Sequence, residues 1–129
     1  MSDISNDYII SFLQKTQGFS TMPREDLEQL AKLFTHKSFC AGEFMIHQGE
    51  IGRSMYLLLE GSVDVIISGQ TDDVNYAKIV SNLQKGAVMG EMALLTKEPR
   101  NADIVASTDI EVLELNGDDL TPQIGRAHV

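Results

Sequence analysis

The sequence predicts a mainly β domain with flanking α-helices, its strands closed on themselves or sandwiched around one core. Three observations carry this. Between residues 37 and 115, short apolar runs alternate with glycines at 42, 49, 52, 61, 69 and 86. Many short strands at regular spacing, separated by turn signals, belong to β-sandwiches and barrels. Before residue 36 the texture differs, with apolar residues recurring at helical spacing. Finally, no GxGxxG or GxxxxGK[ST] run is present, and strands do not alternate with helices. Dinucleotide and nucleoside-triphosphate chemistry on a doubly wound sheet is therefore unsupported. At 129 residues the chain has the size of one domain.

Taken in order, residues 1–35 predict two helices that serve packing. Tyr8, Ile9, Phe12 and Leu13 mark the first, and Gln-Gly-Phe-Ser at 17–20 breaks it. Pro23 near a first turn, with acids just after it, marks the start of the second. Leu27, Leu30, Ala31, Leu33 and Phe34 give that helix its apolar face. The β domain occupies residues 36–120. Strands are expected at 38–40, 43–47, 54–59, 63–67, 75–83, 101–107 and 110–115. Gly-Gln-Thr-Asp-Asp at 69–73 reads as a polar hairpin loop, and Thr108-Asp109 joins the last two strands.

Residues 90–102, GEMALLTKEPRNA, are the stretch that carries chemistry. Gly90 allows close backbone approach to a ligand. Glu91 to Leu95 would make one helical turn, with Met92, Leu94 and Leu95 inward and Pro99 ending it. Free N–H groups at such a turn attract an anion, and Arg100 offers a planar fork suited to phosphate oxygens. The pattern points to a phosphorylated sugar held between Glu91 and Arg100. On spacing alone an ordinary turn weighs equally, with Arg100 exposed or paired to Glu91 or Glu98.

Composition narrows the function classes. The formal net charge of −9 argues against general affinity for nucleic acid or an acidic membrane, so an anion must be held by local geometry. One cysteine, Cys40, rules out a disulfide framework and a cysteine metal site. His36, His47 and His128 are far apart and form no HxH pair, so no metal site is expected. No Ser-His-Asp or Cys-His arrangement suggests catalysis. No apolar run is long enough to span a bilayer, and the acidic, polar N-terminus is unlike a secretory signal, so a cytoplasmic location is expected.

Several ordered motifs together resemble one family. Gly42-Glu43, Gln48-Gly49-Glu50, Glu60-Gly61-Ser62-Val63 and residues 90–108 follow the order and spacing of the cyclic-nucleotide-binding domain, as in the cAMP receptor protein and the protein kinase A regulatory subunit. The resemblance covers residues 19–120. It implies a jelly-roll-like, eight-stranded β-roll (a double-stranded β-helix) flanked by helices, and a regulatory sensor rather than an enzyme, with a cyclic nucleotide as ligand and no other cofactor. It also implies roles: Glu91 on the ribose 2′-hydroxyl, Arg100 on the cyclic phosphate, and backbone N–H groups of Met92 and Ala93, after Gly90, completing the cradle. Ala102 leaves room beside the ligand, and Val63, Val65 and Leu94 are candidate apolar walls. Met89 departs from the family's usual phenylalanine, and Asn101 from its serine, threonine or alanine. A threonine there accompanies cGMP preference in the family, whereas asparagine, both donor and acceptor, can serve either base; cAMP is favoured over cGMP. The alternatives are a non-binding β-roll scaffold, which degenerate family members become by losing Glu91 or Arg100 equivalents, and the N-terminal regulatory domain of an enzyme.

The tail is read separately. Residues 124–129, IGRAHV, match the in-frame translation of a short-read sequencing adapter, ATC GGA AGA GCA CAC GTC, whose next triplet is a stop. They are set aside from fold reasoning as a sequencing artefact, and residues 121–123 are read as the start of a truncated helical region. On this reading the lid helices and a downstream output domain are absent. The output in the complete protein would be a DNA-binding, channel, kinase or cyclase domain, with a DNA-binding regulator the first expectation and a homodimer among the family's possibilities.

Overall fold

The computed structural model describes residues 5–16, 19–91, 96 and 98–119. Two helices lead into eight strands: α1 (Asn6–Leu13), α2 (Arg24–Ala31), β1 (Thr35–Phe39), β2 (Phe44–Ile46), β3 (Ser54–Glu60), β4 (Ser62–Thr71), β5 (Val74–Gln84), β6 (Val88–Met89), β7 (Asp103–Ala106) and β8 (Ile110–Asn116). A single 3-10 turn, Gly117–Asp119, follows β8. The strands form two four-stranded antiparallel sheets, ordered β1-β8-β3-β6 and β2-β7-β4-β5. This is the β-roll expected from the resemblance.

Helix α1 is started by Ser5, whose hydroxyl accepts the Tyr8 N–H at 3.2 Å. Its buried face is Ile9, Ile10 and Leu13. Tyr8, read from spacing as part of that face, is exposed and lies beside Phe12. Helix α2 begins after Pro23, and its early Glu25 and Asp26 suit the positive end of the helix dipole. Arg24 ties the helices together through Asp7 at 3.3 Å. Leu33 and Phe34 pack against the core from beyond the helix end.

Two apolar clusters share the sheet β1-β8-β3-β6 between them. Met55, Leu57, Leu59, Leu113 and Leu115 face the helices, while Tyr56, Leu58, Ile110 and Val112 face the other sheet. Strand β3 therefore has no polar side to show, which is why it reads as the unbroken run Met-Tyr-Leu-Leu-Leu rather than alternating. In the opposite sheet Met45, Ile46, Val63, Ile104 and Ala106 close the second cluster.

Strand limits differ from expectation at several places. β1 begins at Thr35 and β7 is confined to Asp103–Ala106. The two-residue β6 carries no periodicity long enough to announce it. The hairpin loop expected at 69–73 is mostly strand: β4 runs to Thr71, and only Asp72 and Asp73 turn the chain, at φ 51° and 66°. Both central residues at positive φ make a primed turn, whose twist matches that of its strands. Gln48 explains the extension. Its side chain donates Nε2–H to the Ser68 carbonyl at 3.0 Å and accepts the Ser68 N–H at 2.8 Å, continuing the ladder beyond the end of β7.

Among the described residues no helix is long and apolar enough to cross a membrane.

Candidate functional site

The glycine turns of the sequence converge on one strand and its approach. In the first, the Gly42 N–H donates to the Ala106 carbonyl at 2.7 Å, and the Ala106 N–H to the Glu43 carbonyl at 2.9 Å. In the third, the Ser107 N–H donates to the Ser62 carbonyl at 3.0 Å. The middle turn, Gln48-Gly49-Glu50, grips Arg100 itself. The Gly49 N–H donates to the Arg100 carbonyl, and the Arg100 N–H to the Glu50 carbonyl, each at 2.8 Å. The Gln48 N–H reaches Asp103 Oδ1 at 2.7 Å. With both its backbone groups paired, Arg100 has a fixed Cα from which to aim its side chain.

That side chain lies across two glycines. Nη2 donates to the Ser54 carbonyl at 2.9 Å. A Cβ at Gly52 would meet Nη2 at 3.1 Å and Nε at 3.2 Å; one at Gly90 would meet Nη1 at 2.6 Å and the Ser54 carbonyl oxygen at 2.8 Å. Gly90 also holds φ +75°, a conformation that costs other residues. The seat of the guanidinium is therefore built from absent side chains. Among the described residues Arg100 forms no ion pair. One carbonyl cannot neutralise a guanidinium or occupy its several N–H donors.

Beside this charge opens a cavity of about 270 Å³, lined by Ile46, Val65, Gly90, Thr96, Glu98, Pro99, Arg100, Asn101, Ala102 and Ile104. The walls are apolar on the strand side and polar on the side of residues 96–101. Of the residues expected to form a site, Gly90, Arg100, Asn101 and Ala102 meet here, and so does Val65. Val63 instead is fully buried in the core.

Glu91, expected as the second anchor, is not among the residues lining this cavity. It is half-buried and lines a separate hollow with Tyr8, Ser11, Phe12, Lys15, Thr16, Gly86 and Val88, against helix α1. Neither Glu91 nor Glu98 pairs with Arg100 among the described residues. Met92, Ala93, Leu94 and Leu95 lie outside the described residues, as do 120–129.

The walls Ile46 and Ile104 from other strands, and the seat at Gly52 and Ser54, were not foreseen. Gly52 reads in sequence as one more turn glycine, and no local pattern announces that it lies under an arginine 48 positions away (100 − 52).

Behind the cavity runs a polar chain on the inner face of the first sheet. Lys37 Nζ lies 2.6 Å from Glu114 Oε1, and the Tyr56 hydroxyl donates to Glu114 Oε2 at 2.9 Å. Burial, then the hydrogen bond and charge of Glu114, push the Tyr56 phenol up to about 12, against the opposing pull of Arg100 and Ser54. Burial pushes the Glu114 carboxyl upward, but hydrogen bonds from Lys37, Tyr56 and Ser54, with the Lys37 charge, bring it below its ordinary value. Among the described residues no three His, Cys, Asp or Glu side chains are grouped to hold a metal ion.

Comparison with known proteins places this arrangement. The cyclic nucleotide-binding domain model matches residues 36–126. The cGMP-dependent protein kinase egl-4 of Caenorhabditis briggsae is 30% identical over 118 residues, which cover 91% of this chain and 16% of that protein. A cAMP-dependent protein kinase regulatory subunit of Emericella nidulans is 29% identical over 115 residues, covering 89% and 26%. The chain thus spans about a quarter or less of these relatives' length. Among solved structures, the regulatory subunit of a cAMP-independent protein kinase A from Trypanosoma brucei is 34% identical, with a TM-score of 0.68 over 87% of this chain and 40% of that one. The matched segment contains the three glycine turns and Arg100, which the middle one grips, and the chain belongs to the cyclic nucleotide-binding domain family.

Proposed function

We propose that the chain is a regulatory sensor module that takes a cyclic nucleotide into the cavity beside Arg100 and performs no catalysis itself. One observation carries this reading: a guanidinium with a clamped backbone, seated on glycines, and met only by a backbone carbonyl among the described residues. Such a group is prepared for an anion with two oxygens to offer. The cavity, at about 270 Å³, is near the lower end of the roughly 300–1,000 Å³ usual for small ligands. It suits the ribose and phosphate, with the base directed past Asn101 and Val65. Asn101 can present a donor or an acceptor to that base, and cAMP is the favoured ligand over cGMP. Glu91 lines the hollow beside α1, so its engagement by a ribose hydroxyl would act on that hollow. Ligand binding would then be coupled to the packing of that helix, as a shift between two populated arrangements.

Calorimetric titration with cAMP and cGMP tests the reading, with Arg100→Ala alongside. Loss of the arginine should cost about 2–5 kcal/mol, the range for stripping a buried charge of its partner. Binding that survives the substitution unchanged would refute the site. A second reading is favoured by the likeness to a regulatory subunit from Trypanosoma cruzi described as cAMP-independent and bound to guanosine: the cavity could serve an uncharged purine nucleoside. Adenosine and guanosine in the same titration separate the two, since nucleoside affinity should not depend on Arg100.

A further inference from the structure

The polar chain of Lys37, Glu114 and Tyr56 lies outside the cavity's lining. Tyr56 and Glu114 are not among the cavity's walls. Tyr56 is 7% exposed, and the Glu114 side chain 12%. A carboxylate so far withdrawn from water is costly unless its oxygens are paired, and both are: one by Lys37, one by Tyr56. Three strands contribute, β1 through Lys37, β8 through Glu114 and β3 through Tyr56, with Tyr56 and Glu114 directly opposite in register.

The chain ends at Ser54. Ser54 lies two residues before Tyr56, on the same side of β3, and its carbonyl accepts the Arg100 guanidinium. Tyr56 makes a second connection through its backbone. It is the register partner of Met89, the residue before Gly90, and Gly90 is the other half of the arginine's seat. The carbonyl and the glycine that define where Arg100 lies are thus both tied to Tyr56, and Tyr56 is tied to Glu114 and Lys37.

We infer that Tyr56 and Glu114 are positioning residues for the ligand-binding arginine, acting through Ser54 and Gly90 without touching the ligand. Lys37 neutralises Glu114, so the carboxylate can orient the phenol while the positive charge of Arg100 remains available to an anion. The inference rests on the reading of the cavity as a phosphate site. It predicts that the chain answers to changes at Arg100 even with no ligand present.

Two measurements on the full chain test it. The first needs no ligand. With tyrosine labelled at ¹³Cζ, the protein gives three tyrosine signals and no tryptophan background. Arg100→Lys should shift the Tyr56 signal and leave those of Tyr8 and Tyr76 in place; a Tyr56 signal that does not move overturns the inference. The second is cAMP affinity in Glu114→Gln and Tyr56→Phe, each in wild-type and Arg100→Lys backgrounds. Each substitution should weaken binding about threefold to tenfold in the wild-type background, the scale of coupling within one hydrogen-bonded network. In the Arg100→Lys background the further loss should be less than about twofold. Equal losses in both backgrounds would show general destabilisation and overturn the inference, as would unchanged affinity in both variants. If Tyr56→Phe does not fold, Glu114→Gln carries the comparison. A wild-type chain that binds no cyclic nucleotide, while its Tyr56 signal still answers to Arg100→Lys, would remove the phosphate reading and leave the positioning of Arg100 standing.

Discussion

Replacing Gly90 by alanine is the sharpest test of how the arginine is seated. A methyl group there would fall 2.6 Å from Arg100 Nη1 and 2.8 Å from the Ser54 carbonyl oxygen. The first contact could be relieved by moving the guanidinium, and the second only by moving backbone. The residue is also at φ +75°, which costs an L-residue about 1–2 kcal/mol in the left-handed region. Strain and overlap together should destabilise the protein by about 2–4 kcal/mol, the upper part of the usual range for single substitutions. Gly86 supplies the control. It holds φ +98°, but nothing lies within 4 Å of its added Cβ, so Gly86→Ala should show the backbone cost alone, about 1–2 kcal/mol. Urea unfolding of both variants measures the difference. Titration with cAMP should show Gly90→Ala weakened by roughly tenfold, or 1.4 kcal/mol, because the displaced guanidinium no longer faces the cavity, and Gly86→Ala unchanged. If the two alanines cost the same in stability and neither alters binding, the close seat of Arg100 described above is wrong.

Other outcomes follow from the same geometry. Tyr56 is protonated more firmly in the folded chain, with its phenol raised from the ordinary 10.0 to about 12. Its contribution to stability, about 2–3 kcal/mol, is therefore complete below about pH 10 and lost as pH rises through about 12; Tyr56→Phe should flatten the alkaline limb of unfolding free energy against pH, and an identical slope in the variant would count against the buried hydrogen bond. Glu114 has the opposite sign, since its carboxyl is held below the ordinary value. Its contribution is present above the unfolded carboxyl range and disappears as pH falls through the depressed value, so Glu114→Gln should shallow the acid limb, and a steeper limb would contradict the pairing with Lys37. Gln48→Ala should cost about 1 kcal/mol and speed hydrogen exchange at the Ser68 amide, whose acceptor is the Gln48 side chain. Unaltered exchange there would mean that the hairpin holds its length without the clamp.

The amphipathic runs and glycine punctuation of this chain determine by themselves that helices precede a mainly β domain, closed or sandwiched; that it is a β-roll was implied by the family resemblance. Burial is driven by local periodicity, and turns by residues that tolerate positive φ; both are properties of neighbouring residues. Residues 90–102 likewise carry their chemistry on the page, because a glycine and an arginine flanking a short turn suggest an anion before any fold is known. What the arginine rests upon is another matter. Its Cα is held by the turn at 48–50 and its guanidinium by the carbonyl of Ser54, 46 residues earlier in the chain. A backbone carbonyl is common to every residue and leaves no trace in a sequence. The same applies to the hairpin, where residues 69–73 read as a loop and the first three become strand, while Gln48 supplies a ladder partner beside them at Ser68. Glu91 shows the converse, since it directly follows a cavity residue, Gly90, in sequence yet lines a different hollow, together with Tyr8, Ser11 and Phe12 of α1. Tertiary structure decided these points because each depends on two distant segments meeting, and their meeting is settled by the packing of both sheets at once.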